Sequence, residues 1–183
     1  MSRARAPILD AGCGTGFALA ALAPRVEPGG IVCGLDRSEK VVALARKRLT
    51  GLDNIELKLG RIEAIPYPEF AFDASFALRT VQYVDEPLAA IRELMRVTMP
   101  GGRVVLCEGG MSVLDLAEPE LMDRILGSGW NVRHGALGVR LKRLFVEAGL
   151  SRVVVQAAVG IDNEPSPYML KMFREAAAGA AEC

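Results

Sequence analysis

Glycines at 12, 14 and 16 follow an apolar run and a carboxylate in the segment Ile8-Leu9-Asp10-Ala11-Gly12-Cys13-Gly14-Thr15-Gly16. Residues of these types at this spacing describe a buried strand that enters a sharp turn and then a helix. Glycine adopts backbone conformations that a Cβ disfavours and lets a ligand approach the main chain, while the helix that follows, Phe17 to Ala23, offers unpaired N–H groups to an anion. A second carboxylate, Asp36, closes the next apolar run, Ile31-Val32-Cys33-Gly34-Leu35. It stands about 20 residues beyond the turn, where a carboxylate accepts hydrogen bonds from both hydroxyls of a ribose. The chemistry implied is the binding of a nucleotide-type cofactor. A dinucleotide is disfavoured, because its fingerprint needs a third glycine where this chain has Phe17. Each residue also has a structural reading: Asp10 as a turn cap, the glycines as packing sites, and Asp36 as a neighbour that caps the helix at Ser38.

The elements that must hold these residues alternate between apolar runs and helical patterns, the mark of a parallel sheet covered on both faces. Strands are expected near 7–11, 31–36, 54–59, 73–78, 103–108 and 151–159, with helices near 17–23, 38–50, 86–98, 117–129 and 137–148. Ser38 caps the second helix, whose Val41, Val42, Ala45 and Leu49 share one stripe. Pro100-Gly101-Gly102 is expected to end the 86–98 helix and turn the chain into the next strand, and Gly149 to end the helix over 137–148. The fold class is therefore α/β, a doubly wound, mostly parallel sheet. Its ligand belongs beyond the carboxyl ends of the strands, at the switch point between the first and fourth.

Four stretches occur in a specific order: D-A-G-C-G-T-G at 10–16, G-L-D-R-S at 34–38, the segment from Gly60-Arg61-Ile62-Glu63 through Phe72-Asp73 to Val81-Gln82-Tyr83-Val84-Asp85-Glu86-Pro87, and R-V-T-M-P-G-G-R-V-V-L at 96–106. In that order, over residues 7–150, the chain resembles the class I S-adenosylmethionine-dependent methyltransferases, in the small-molecule branch that includes the ubiquinone/menaquinone-biosynthesis type. The resemblance implies a Rossmann-like sheet of seven strands, the last two antiparallel, with helices before the first strand that close over the cofactor. Six residues precede the first strand here and six strands are legible, so the expectation is a core, residues 1–160, that lacks the N-terminal lid and the seventh strand. Residues 161–183 would form a loop and helix ending in an alanine-rich, frayed tail.

The resemblance also implies S-adenosyl-L-methionine as cofactor and transfer of its methyl group to a small-molecule acceptor. Carried over by motif, Asp10, Gly12, Cys13 and Gly14 would cradle the amino-acid end, Asp36 the ribose, and Arg37 would lie against the adenine. Arg61 stands where the family usually has an Asp that accepts the adenine amino group. A guanidinium only donates, so that contact would pass to the Ile62 N–H. The backbone of Leu78 and Arg79 would adjoin the methionine portion. Tyr83, Asp85 and His134 are candidate general bases and Trp130 a candidate substrate contact, but no motif assigns a catalytic residue. Two other readings remain open: a non-catalytic cofactor-binding or interaction protein, suggested by the missing parts and Arg61, and a nicotinamide-dependent dehydrogenase, disfavoured by Phe17.

Composition narrows the classes further. The chain has 183 residues, 51% hydrophobic, enough for one sizeable core. Its 22 basic residues balance 22 acidic ones, so no global field directs it to nucleic acid. No apolar run approaches the ~18 residues of a membrane span, and no signal-peptide pattern opens the chain, which implies a cytoplasmic protein. Cysteines 13, 33, 107 and 183 form no C-x-x-C pair and read as reduced. A single histidine disfavours a protein-built metal site. A missing seventh strand would leave a sheet edge open for a second copy of the chain.

Overall fold

In the computed structural model the described residues are 7–26, 29–108 and 137–156. Five apolar segments form strands: β1 (Ile8–Ala11), β2 (Val32–Asp36), β3 (Ile55–Leu59), β4 (Phe72–Leu78) and β5 (Thr98–Cys107). Every neighbouring pair is parallel and the order across the sheet is β3-β2-β1-β4-β5. The chain moves outward from β1 to β3, then returns to the other side of β1, so the order reverses between β1 and β4. That is the switch point expected from the alternating pattern.

Helices lie between most successive strands: α1 (Phe17–Leu22), α2 (Glu39–Arg48) and α3 (Pro87–Val97), with α4 (Leu137–Ala148) after β5. Ser38 does cap α2, its hydroxyl accepting the Val41 N–H at 3.4 Å. Along α3 the residues Ala90, Ile91, Leu94 and Val97 fall on one stripe and are fully buried. They join Leu9, Leu35 and Phe72 from the sheet and Leu137, Leu141 and Leu144 from α4 in one core. A second core holds Leu19 of α1, Ala45 of α2, Leu49 and Val32. Burying each large aliphatic side chain contributes on the order of 2 kcal/mol, so these two cores account for the doubly wound arrangement. Gly34 lets the layers close. A Cβ there would stand 2.6 Å from Leu19 Cδ1 and 2.7 Å from Leu57 Cδ2.

Two expectations need correction. The Pro100-Gly101-Gly102 run does not turn the chain out of a helix; α3 has already ended at Val97, and Thr98 pairs with Phe72. The next pair is Ala74 with Arg103, so β4 advances two residues while β5 advances five. The Pro-Gly-Gly run fills the excess as a bulge, which suits a residue without an N–H donor and a glycine at φ 82°. A Cβ at Gly102 would lie 2.5 Å from the Asp73 carbonyl oxygen, so a side chain is excluded there.

The second correction concerns 151–159. Residues 151–156 belong to no strand. Val154 and Val155 are 79% and 53% exposed, and Arg152 has φ 58°. Residues 157–159, the helix expected over 117–129, the N-terminal six residues and the segment 161–183 lie outside the described residues. Cys13 and Cys33 are free and buried and Cys107 free and exposed; Cys183 also lies outside the described residues. Among the described residues no helix is long and apolar enough to cross a membrane.

Candidate functional site

A cleft of about 350 Å³ opens over the carboxyl ends of the strands at the switch point. The loop after β1 supplies Gly12 and Gly14, the end of β2 Asp36 and Arg37, and the loop after β3 Gly60, Ile62 and Glu63. The end of β4 supplies Leu78, and the loop after it Arg79, Thr80, Tyr83 and Val84. Of the residues singled out from sequence, Gly12, Gly14, Asp36, Arg37, Ile62, Leu78 and Arg79 therefore meet in one cleft.

The glycine turn acts through shape. Gly12 has φ 86°, and a Cβ on it would stand 2.2 Å from Thr80 Oγ1. Its bareness lets the loops after β1 and β4 touch. The Thr80 hydroxyl, 3.1 Å from the Leu78 carbonyl and 3.4 Å from the Gly12 carbonyl, donates across that contact. Gly14, at φ 54°, has nothing within 4 Å of where a Cβ would be, so its main chain stands open.

Four of the turn's N–H groups, in contrast, are already occupied. Those of Gly12 and Cys13 both donate to the Leu35 carbonyl, at 2.7 and 2.9 Å, and that of Gly16 to the Cys13 carbonyl at 2.9 Å. The Gly14 N–H donates to Asp36 Oδ2 at 3.0 Å. These four donors hold the turn together; the N–H groups that the sequence offers to an anion are those of the helix that follows, from Phe17 onward.

Asp36 ties the cleft together. Oδ2 accepts from Gly14, and Oδ1 accepts the Ser38 N–H at 3.0 Å, which opens α2. Each carboxylate oxygen has a second lone pair, so both remain able to accept a ligand hydroxyl. The capping reading and the ribose reading of Asp36 are thus compatible in one side chain.

Asp10 lies below the turn near the end of β1, 2% exposed. Burial pushes its carboxyl up to about 7, and the negative charge of Asp36 pushes the same way. Cys13 does not line the cleft. Its thiol sits in the second core, 3.7 Å from the Gly14 carbonyl, and burial with the nearby Asp10 and Asp36 pushes it up to about 12. Its side chain thus packs in the core, and a thiol raised by burial is poorly suited to act as a nucleophile.

Arg61 also stays out of the lining. Its guanidinium meets Glu63 at 2.8 Å and Asp85 at 3.5 Å, which places Asp85 in an ion pair at the rim. Of the two candidate bases among the described residues, Tyr83 lines the cleft and Asp85 does not. His134 and Trp130 lie outside the described residues.

The loop after β4 is held from the far side of the sheet. Arg79 has φ 51°, and its N–H donates to the Cys107 carbonyl at 2.8 Å. The next two N–H groups, of Thr80 and Val81, donate to Glu108 Oε1 at 3.0 and 2.7 Å. Gly60, Glu63, Thr80, Val84 and Glu108 were not singled out from sequence as site residues, although Gly60, Glu63 and Val84 lie in the third of the stretches that carry the resemblance. Gly60 carried a signal, a glycine directly after an apolar strand; its N–H donates to the Asp36 carbonyl at 2.9 Å, and a Cβ on it would lie 2.8 Å from Leu35 Cδ1.

Comparison with known proteins agrees with this geometry. The family described as "Methyltransferase domain" matches residues 9–106, the stretch from β1 to β5. An uncharacterized 37.1 kDa protein in transposon TN4556 of Streptomyces fradiae is 36% identical over 178 residues, covering 91% of this chain and 50% of that protein. The demethylmenaquinone methyltransferase of Clavibacter sepedonicus is 41% identical over 104 residues, 55% of this chain and 40% of its own length. A solved S-adenosylmethionine-dependent methyltransferase from Aquifex aeolicus superposes with a TM-score of 0.64 at 25% identity, over 79% of this chain and 71% of that one. The chain thus spans half or less of the length of these two curated relatives.

Proposed function

We propose that this chain, which belongs to the class I S-adenosylmethionine-dependent methyltransferases of the quinone-biosynthesis type, transfers a methyl group from that cofactor to a small aromatic acceptor of the hydroquinone kind. The observation that carries the reading is Asp36, a carboxylate at the switch point with lone pairs open toward a cleft whose neighbouring main chain, at Gly14, is bare. The likeness to a demethylmenaquinone methyltransferase suggests the acceptor class.

The residues present suit a ligand that joins a nucleoside to an amino acid. Asp36 would accept the ribose hydroxyls, Ile62 would offer its N–H and apolar surface to the adenine edge, and Arg37 would lie along the ring. Asp10, beneath the glycine turn, would become fully ionised when a cationic amino-acid end approaches, because a positive neighbour favours the charged carboxylate. Leu78 and Arg79 would flank that end. When bound, S-adenosylmethionine supplies an electrophilic methyl group on a sulfonium, so the protein's task is alignment and exclusion of water. Tyr83, on the β4 side of the cleft, would orient the acceptor's hydroxyl.

Incubation with methyl-labelled S-adenosylmethionine and a panel of demethylated hydroquinones tests the proposal. Label is expected in the acceptor, with one S-adenosylhomocysteine formed per methyl group moved. Cofactor binding with no turnover on any acceptor would favour a non-catalytic binding protein, and no binding at all would overturn the reading.

A further inference from the structure

We infer that Glu108 is a positioning residue for this cleft: its carboxylate, reaching across from the end of β5, fixes the loop that forms the β4-side wall. This rests on the proposed cofactor site. The wall consists of Arg79, Thr80, Tyr83 and Val84, and none of them is held by a regular element longer than the single 3-10 turn Val81–Tyr83. That turn starts without a side-chain cap of its own. Its orphan donors are met by Glu108 instead, Oε1 accepting from Thr80 at 3.0 Å and from Val81 at 2.7 Å.

The clamp has two further parts. The carbonyl of Cys107, the residue before Glu108, takes the Arg79 N–H at 2.8 Å, so three successive donors of the loop end on two successive residues of the β5 terminus. On the other side the Thr80 hydroxyl reaches the Gly12 carbonyl. The β5 terminus therefore sets the position of the β4 loop, and the β4 loop in turn abuts the glycine turn across the switch point. Glu108 is absent from the cleft lining. Its effect on a ligand passes through Thr80 and Tyr83, and it is no catalytic residue.

The carboxylate faces burial that opposes its charge and N–H groups of the loop that favour it. Removing the acceptor leaves buried donors unpaired, whereas a glutamine keeps one carbonyl oxygen at the same reach. That contrast gives the test. S-adenosylhomocysteine binding to the full chain is measured by calorimetry for the parent and for Glu108→Ala, Glu108→Asp and Glu108→Gln, alongside amide hydrogen exchange at residues 79–83.

The expected result is binding weakened about tenfold in Glu108→Ala and Glu108→Asp, exchange at Thr80 and Val81 faster by a similar factor, and Glu108→Gln within about threefold of the parent in both. Should Glu108→Ala fail to fold, the aspartate and glutamine chains carry the same comparison. Equal binding and equal exchange in parent and aspartate variant would overturn the inference, as would a loss of stability in any variant with ligand affinity unchanged. A parent that binds no S-adenosylhomocysteine would refute the cofactor site itself, while the exchange data would still report on the clamp.

Discussion

Replacing Asp10 by asparagine should make the protein more stable and a poorer binder at the same pH. The carboxyl lies 2% exposed beneath the glycine turn, and burial with the nearby Asp36 raises it from 3.8 to about 7. A carboxyl raised on folding binds more protons in the native state than in the unfolded one between those two values. Stability therefore falls as pH rises through this window and levels off above pH 7. At about 1.4 kcal/mol per pH unit, the whole window is worth on the order of 4 kcal/mol, and the stretch from pH 5 upward about 3 kcal/mol. Urea unfolding of the parent and Asp10→Asn at pH 5 and pH 8 isolates this amount. Glu108 is also raised by burial, but it is common to both proteins and cancels in the difference. The stability advantage of the variant should grow by about 3 kcal/mol between pH 5 and pH 8, while its affinity for S-adenosylhomocysteine at pH 8 should fall by about 1–3 kcal/mol. A stability difference that is flat with pH would refute the buried-charge argument. Equal binding by the variant at pH 8 would refute the role given to Asp10 at the amino-acid end.

Gly12→Ala, which forces a Cβ to within 2.2 Å of Thr80 Oγ1, should destabilise by about 2–3 kcal/mol in thermal or urea unfolding, whereas Gly14→Ala, with open space around it, should show only the ~1 kcal/mol of a left-handed conformation. Asp36→Ala should lower stability and S-adenosylhomocysteine affinity together, each by about 1–3 kcal/mol, because it strands the Gly14 and Ser38 N–H groups as well as the ligand hydroxyls; calorimetry and unfolding on one sample check both. Arg61→Ala, which removes a half-exposed guanidinium from rim ion pairs, should change stability by less than about 1 kcal/mol and leave ligand affinity within threefold; a larger loss of affinity would return Arg61 to the site.

The parts of the site legible in the sequence are those whose signal is local. A strand, a glycine turn and a helix are contiguous, and Asp36 ends an apolar run, so residue types alone place Gly12, Gly14 and Asp36 at the carboxyl ends of the strands of a parallel sheet. What stayed hidden depends on register and on distant partners. The Gly12 and Cys13 N–H groups end on the Leu35 carbonyl because Ala11 lies opposite Leu35 in the β1–β2 ladder, a fact of pairing that no single segment carries. Glu108 follows an apolar strand as Asp36 does, yet its partners stand 27 and 28 residues earlier in the chain. The Val153-Val154-Val155 run has the apolar, β-branched character of a strand, but a strand requires a neighbouring ladder, and among the described residues none includes 151–156. Similarly, Pro100-Gly101-Gly102 reads as a helix stop in isolation, and only the β4 partner reveals that it is a bulge.

The central claim, that the cleft between β1 and β4 holds S-adenosylmethionine, is tested most directly by titrating S-adenosylhomocysteine into the labelled full chain and following the backbone amides by NMR. Saturable shifts concentrated at Gly12, Gly14, Asp36, Gly60, Ile62 and Arg79 are the predicted result. Shifts that cluster elsewhere, or none at millimolar ligand, would contradict it.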